Sequence, residues 1–293
     1  MGLVKNILMP NTVLKMMRYK LVISDYGETL VHTGEDINQI NIDAIKEYQL
    51  NGGVFSIATG REWPSIRRKL NKRDLINLNE MIITCCYGAL IISSKKEEVL
   101  FDFSLDSRFI IRLISFMSEN DVKYSIVTKD KTLVKKEIDL NNYVWKQYDN
   151  QMVFNDDVSL IDYLIKNEDK VYKIDIYSIN HYSLINDYIV HTFPNKIRTY
   201  TNNALGFFEL VSVDAGKESA YKFIKKYLNL NDEEIIVVGD ATNDLGLYKN
   251  ATNRIAVSNA IKDLLEKSTY IVENSDYCGI SRLIKNILNG DTL

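Results

Sequence analysis

The stretch Ile235-Ile236-Val237-Val238-Gly239-Asp240-Ala241-Thr242-Asn243-Asp244 decides how the rest of the chain is read. Its first four residues predict a buried strand, and three polar side chains, Asp240, Asn243 and Asp244, follow at the strand's end. Such a gathering is unusual for a simple turn, although Asp240 or Thr242 could equally cap the next helix.

The same arrangement recurs to either side. Lys20 to Ser24 reads as a short apolar strand ending in Asp25-Tyr26-Gly27, and a helical periodicity from Asn38 to Leu50 stops at Asn51-Gly52-Gly53. Val54 to Ala58 predicts a second strand that runs into Thr59-Gly60-Arg61. A helix is expected from Pro64 and a third strand over Met81 to Cys86. After Lys217 the alternation returns, with a helix to Leu228, the quoted strand, a helix after Thr242 and two more strand and helix units. Strands alternating with helices predict an α/β fold, a Rossmann-like doubly wound parallel sheet.

Between residues 88 and 213 the texture changes. Close strand candidates at Leu90-Ile92 and Val99-Phe103 precede a helix near Asp106-Glu119 and strands near Lys123-Val127 and Val171-Tyr177. A helix near His181-Thr192 and paired strands at Ile197-Thr201 and Phe207-Val211 follow. The reading is a discontinuous core, residues 18–87 and 214–293, interrupted by an inserted α+β cap domain over 88–213, with residues 1–17 as an N-terminal extension.

Composition narrows the function classes. A length of 293 residues calls for two domains, or one with a large insertion. The 36 basic residues nearly balance the 39 acidic ones, so the field of the whole molecule gives no reason to expect nucleic acid or an anionic membrane as partner. No apolar run is long enough to span a bilayer, and the first twenty residues lack the continuous apolar core of a secretion signal. Three cysteines, two of them adjacent at Cys85 and Cys86, make neither a disulfide framework nor a metal-ligand spacing, which suits the cytoplasm. His32, His181 and His191 are too dispersed for a metal cluster.

In an open α/β sheet, ligands bind beyond the carboxyl ends of the strands, and Asp25, Thr59 and Asp240 each fall just past one. Taken singly they are weak: Asp25 and Thr59 could be turn residues, and Lys217 a solvated lysine in the first turn of a helix. Taken together and in order, these residues resemble the four motifs of the haloacid dehalogenase-like superfamily, and the large insertion is similar to that of its Cof-type phosphatases. The resemblance covers nearly everything from Lys20 to Leu288.

It implies roles for each position. Asp25 corresponds to the nucleophile, Thr59 to the phosphate-binding hydroxyl, Lys217 to the lysine of the third motif, and Asp240 with Asn243 and Asp244 to the acidic fourth. The expected reaction is hydrolysis of a small phosphorylated metabolite, such as a sugar phosphate, through an aspartyl-phosphate. A phosphate ester and an attacking carboxylate are both anions, so a divalent cation must offset their repulsion, and oxygen ligands suit Mg²⁺. Asp25, Asp240 and the Gly27 carbonyl would hold it, with Asp244 orienting water beside it. Thr59, Lys217 and Asn243 would hold the phosphoryl oxygens. Arg61 could bind a substrate anion or serve equally in a surface salt bridge.

The chain departs from the family at two places. The family's first motif reads Asp-x-Asp-Gly-Thr-Leu, whereas this chain has Asp25-Tyr26-Gly27-Glu28-Thr29-Leu30. The second aspartate, the general acid and base, is therefore Gly27. Positioned acid-base catalysis is worth roughly 10²–10⁴-fold, so its loss predicts slow hydrolysis with metal and phosphate binding retained. Glu28 is a candidate for a displaced acid, but alternation along an extended segment would aim it away. The second departure is Tyr87, where Cof-type sequences carry asparagine before Gly-Ala. The rival reading is a catalytically impaired protein that binds metal and phosphate, or regulates, on the same fold.

Overall fold

The structure, a computed structural model, describes residues 17–32, 34–75, 80–136, 150–203 and 205–291. The extension expected before residue 17 lies outside the described residues. The chain divides into two compact units, one formed by the chain up to Ser56 together with Lys225 onward, the other by Ile57–Ile224.

The first unit is built on parallel strands. β1 (Leu21–Ser24) pairs with β12 (Ile235–Gly239) in the register Leu21 to Ile235 through Ser24 to Val238. β12 pairs in parallel with β13 (Asn253–Val257), and β13 with β14 (Tyr270–Val272). Every residue of β1 and β12 is buried, as expected of parallel strands covered on both faces and written as continuous apolar runs.

Helix α1 (Gln39–Leu50) starts at Asn38, whose side chain accepts from the Ile40 N–H. Gly53 lies under the Tyr48 ring, where a Cβ would stand 2.3 Å from the ring carbon Cζ, so only glycine fits. The buried Asn41 donates to the Leu30 carbonyl at 3.2 Å and accepts from the Ser281 N–H in α9 (Gly279–Asn289) at 3.0 Å. That bridge ties the loop after β1 to a helix more than two hundred residues away in sequence.

β2 (Val54–Ala58) crosses the division between the units. In the second unit α2 (Trp63–Lys72) follows it, and β3 (Ile82–Cys85) pairs antiparallel with β4 (Leu90–Ser93), which pairs antiparallel with β5 (Val99–Asp102). The hairpin β4–β5, which the sequence reading assigns to the insertion, thus hydrogen-bonds to the core strand β3.

The rest of that unit is a six-stranded sheet. Its strands are β6 (Tyr124–Val127), β7 (Thr132–Lys135), β8 (Gln151–Phe154), β9 (Lys173–Ile176), β10 (Ile197–Asn202) and β11 (Phe207–Ser212). Their order is β10-β11-β9-β6-β7-β8, antiparallel except for the parallel pair β7–β8. Helices α3 (Ser107–Glu119), α4 (Asp157–Asn167) and α5 (Tyr182–Thr192) bury Phe109, Leu113, Leu160 and Ile185 in one cluster with Ile126, Ile174, Ile176, Phe208 and Leu210. β7, β8 and α4 go beyond the sequence reading. The strands are four residues long and α4 buries only Leu160 and Leu164, so each carries little periodicity.

Side chains alternate across a strand, so burying Ile174, Ile176, Phe208 and Leu210 under helices puts Lys173, Asp175 and Glu209 on the opposite face. Those three are buried as well. An α6 helix (Lys217–Tyr227) leads from this unit back into the first.

Candidate functional site

In the first unit Asp25 continues the β1 ladder, its N–H donating to the Val238 carbonyl at 2.9 Å. The chain then folds on itself: the Val31 N–H donates to Tyr26 and the Glu28 N–H to Val31, at 3.0 and 2.8 Å. Thr29, fully buried in this loop, donates its hydroxyl to Asp240 Oδ1 at 2.8 Å. Asp244 Oδ2 accepts the N–H groups of Asp240 and Ala241 at 3.0 and 3.1 Å, so it organises the loop that carries Asp240. Gly239 is required there, since a Cβ would stand 2.5 Å from the Asp244 side chain.

These contacts bring Asp25, Asp240 and Asp244 together, one carboxylate oxygen from each lying within 4.8 Å of the others. The oxygens around an octahedral Mg²⁺ at ~2.1 Å stand roughly 3–4 Å apart, so a small closing movement makes the donor set fit that ion. Carboxylate oxygens are the ligands that a hard divalent cation takes. Asn243 sits on the same loop with its buried Oδ1 accepting no hydrogen bond, and a half-turn of the amide would present the Nδ2 donor there.

Of Gly27 and Glu28, the glutamate is the conformationally special residue. Gly27 has an ordinary φ, and a Cβ added to it meets nothing within 4 Å. Glu28 holds φ 55°, a left-handed conformation that glycine would adopt freely. Its carboxylate lies 3.2 Å from His32 Nδ1, itself 3.7 Å from Asp276. Glu28 therefore leaves the acidic cluster because the chain turns at its own φ, a different reason from strand alternation.

The second unit holds Thr59, Arg61 and Lys217. Thr59 is buried, and its Oγ1 accepts the Arg61 N–H at 3.2 Å. Lys217 is fully buried at the start of α6, which overturns the reading of a solvated first-turn lysine. Arg61 is half-buried. The carbonyls of Thr59, Gly60 and Arg61 accept in turn from the Tyr87 N–H at 3.0 Å, Lys173 Nζ at 3.3 Å and the Cys86 N–H at 3.0 Å.

Around this loop lies a charged cluster that sequence reasoning missed. Lys173 Nζ is 2.5 Å from Glu209 Oε1 and 3.0 Å from Asp175 Oδ1, and the Tyr87 hydroxyl donates to Glu209 Oε2 at 2.5 Å. Burial works against the Lys173 charge, but the two carboxylates prevail and hold it protonated, well above the ordinary lysine range. Burial, reinforced by Glu209, likewise raises the Tyr87 phenol and keeps it a donor. Glu62, next to Arg61, is buried without such pairing, and desolvation pushes its carboxyl up to about 7, partly offset by Lys173. The available sequence signal was the alternation Lys173-Ile174-Asp175-Ile176 and Phe208-Glu209-Leu210, charged residues interleaved with apolar ones in segments read as strands.

The family model for haloacid dehalogenase-like hydrolases matches residues 22–284. The chain belongs to that family. A crystal structure of a haloacid dehalogenase-like hydrolase from Bacteroides thetaiotaomicron superposes with a TM-score of 0.81 at 22% identity, covering 92% of this chain and 99% of that one. Phosphatase YwpJ of Bacillus subtilis is 20% identical over 289 residues, 92% of this chain and all of the relative. The 5-amino-6-(5-phospho-D-ribitylamino)uracil phosphatase YwtE of the same organism is 30% identical over 96 residues, a third of each chain. Membership in this hydrolase family accounts for the parallel-sheet core and for the acidic residues at its strand ends. No helix among the described residues is long and apolar enough to cross a membrane.

Proposed function

We propose that the chain is a Mg²⁺-dependent phosphatase of small phosphorylated metabolites, weakened by the glycine at position 27. The observation that carries this reading is the convergence of Asp25, Asp240 and Asp244 oxygens within 4.8 Å in a chain of this family.

Asp25 attacks phosphorus, forming a new O–P bond while the bond to the leaving alkoxide breaks. Water then attacks the aspartyl-phosphate, freeing inorganic phosphate and the carboxylate. Asp25, Asp240 and the Gly27 carbonyl would hold Mg²⁺, which when bound offsets the repulsion between carboxylate and phosphate ester. Asp244 keeps Asp240 in place through the loop amides. The motif order assigns Thr59, Lys217 and Asn243 to the phosphoryl oxygens, with Arg61 a further anion-binding candidate. Gly27 supplies no proton to the alkoxide, and Glu28 is held by His32. Esters with good leaving groups should therefore suffer least.

The test is Mg²⁺-dependent phosphate release from p-nitrophenyl phosphate beside a panel of sugar phosphates and a phosphoribitylamino-uracil. Turnover of p-nitrophenyl phosphate well above that of the alkyl esters supports the reading, and Asp240→Ala should abolish both turnover and Mg²⁺ binding. The second reading, a binding or regulatory protein, rests on Gly27. It prevails if Mg²⁺ and inorganic phosphate bind while no ester is turned over.

A further inference from the structure

Three consecutive carbonyls, those of Thr59, Gly60 and Arg61, point into hydrogen bonds on the protein side, while the Gly60 N–H between them meets no protein acceptor among the described residues. A loop with its acceptors consumed and a donor left over is shaped to receive an anion. Two of the three carbonyl partners, Tyr87 and Lys173, converge on a single carboxylate, Glu209.

Tyr87 is held in an uncommon conformation to do this. With φ 57° and ψ 25° it is left-handed, as is Cys86 before it, and a bulky aromatic residue rarely adopts that region. In that pose its backbone reaches the Thr59 carbonyl and the hydroxyl end of its ring lies against Gly60, where a Cβ would stand 2.4 Å from Cζ. The ring stacks on Tyr200 in β10, centroids 3.9 Å apart and planes at 14°. The hydroxyl ends on Glu209 in β11, which also takes Lys173 from β9. The circuit runs from loop to Tyr87 to Glu209 to Lys173 and back to the loop, and every member is largely withdrawn from water.

We propose that Tyr87, Glu209 and Lys173 are positioning residues that hold the Thr59-Gly60-Arg61 backbone in the form that receives a phosphoryl anion, so that the six-stranded sheet sets affinity for the phosphate group. The inference rests on the phosphatase reading for its substrate and on the contacts above for the circuit. Strain held at Tyr87 by its surroundings fits a functional demand on the loop better than a demand for packing alone, which an ordinary conformation would meet.

Tyr87→Phe is the discriminating variant, because it keeps ring, stack and backbone and removes only the hydroxyl. KM for p-nitrophenyl phosphate and the inhibition constant of inorganic phosphate should both rise by about 5–10-fold, the worth of one net hydrogen bond, with kcat within about twofold. Amide exchange over residues 58–63 should quicken by a similar factor, and Mg²⁺ affinity should stay unchanged. Lys173→Met should produce a larger effect of the same kind if it folds. A folded Tyr87→Phe protein with parental KM, phosphate affinity and exchange overturns the proposal.

Exchange also separates this inference from the phosphatase reading. If the parent turns over no ester, inorganic phosphate must still slow exchange over 58–63 in the parent and fail to do so in Tyr87→Phe. That result keeps the circuit and sinks the enzyme, whereas a parent whose loop ignores phosphate sinks the circuit.

Discussion

The two units gather carboxylates in different ways. In the first, Asp25, Asp240 and Asp244 bring carboxylate oxygens within 4.8 Å, and Thr29 and the Asp240 and Ala241 amides are among the donors that hold them. In the second, Asp175 and Glu209 share the Lys173 ammonium, and all three are buried. Three carboxylates gathered at a strand end offer oxygen ligands to a hard cation, while two carboxylates sharing one ammonium stiffen what they touch. The difference teaches that burial of acids alone does not mark a site. The geometry of the oxygens and the partners they meet decide whether a cluster suits a ligand or fixes a loop.

The sharpest way to break the contrast is to add a carboxylate to the first cluster. Gly27→Asp with Glu28→Gly should raise hydrolysis of alkyl phosphates by about 10²–10⁴-fold, the worth of a positioned acid and base. The backbone favours the exchange, since Gly27 already has a φ open to aspartate and Glu28 gives up a left-handed conformation for a residue that tolerates it. Steady-state rates on sugar phosphates, with Mg²⁺ affinity as a control, decide it. A folded double variant that binds Mg²⁺ and gains nothing over the parent removes the weakened-enzyme reading.

Next in size is the compensated cluster. Glu209→Ala leaves Tyr87 without its acceptor and shifts Lys173 onto Asp175 alone, so unfolding in urea should show a loss of about 3–5 kcal/mol. The corresponding Asp240→Ala change removes one of three like charges and should cost far less stability while abolishing Mg²⁺ binding. If the two variants lose equal stability, the distinction between a cluster that suits a ligand and one that fixes a loop fails.

How much of this could be read beforehand follows the same divide. The gathering of Asp25 and Asp240 was legible because each terminates an apolar run, and a run of four or five buried residues followed by an acid is a local signal. The partner network was not, because Tyr87, Lys173 and Glu209 meet from elements separated by up to 122 residues, and only their alternation with apolar neighbours hinted at a buried charged face. The fate of Gly27 and Glu28 depended on φ, and φ at a loop position follows from hydrogen bonds such as those among Tyr26, Glu28 and Val31 rather than from residue type. β7, β8 and α4 escaped for want of length and periodicity.

Glu62 belongs to neither pattern and offers the smallest and most specific test. It is fully buried beside Lys173, but that ammonium is already shared by Asp175 and Glu209, and desolvation prevails, raising the Glu62 carboxyl from the ordinary 4.5 to about 7. The folded protein therefore holds a proton that the unfolded chain releases near pH 4.5. Its contribution to stability is fully present below that value and drains away as pH rises towards 7, above which both states are ionised and the loss is complete. The displacement corresponds to about 3 kcal/mol. Glu62→Gln keeps the size and the neutral polarity and cannot ionise, so it should match the parent near pH 4.5 and exceed it by up to about 3 kcal/mol at pH 8. Urea midpoints of both proteins at pH 4.5, 6 and 8 measure this. A gap between parent and variant that does not widen with pH would mean that Glu62 is ionised in the fold throughout, and that the Lys173 ammonium serves three carboxylates rather than two.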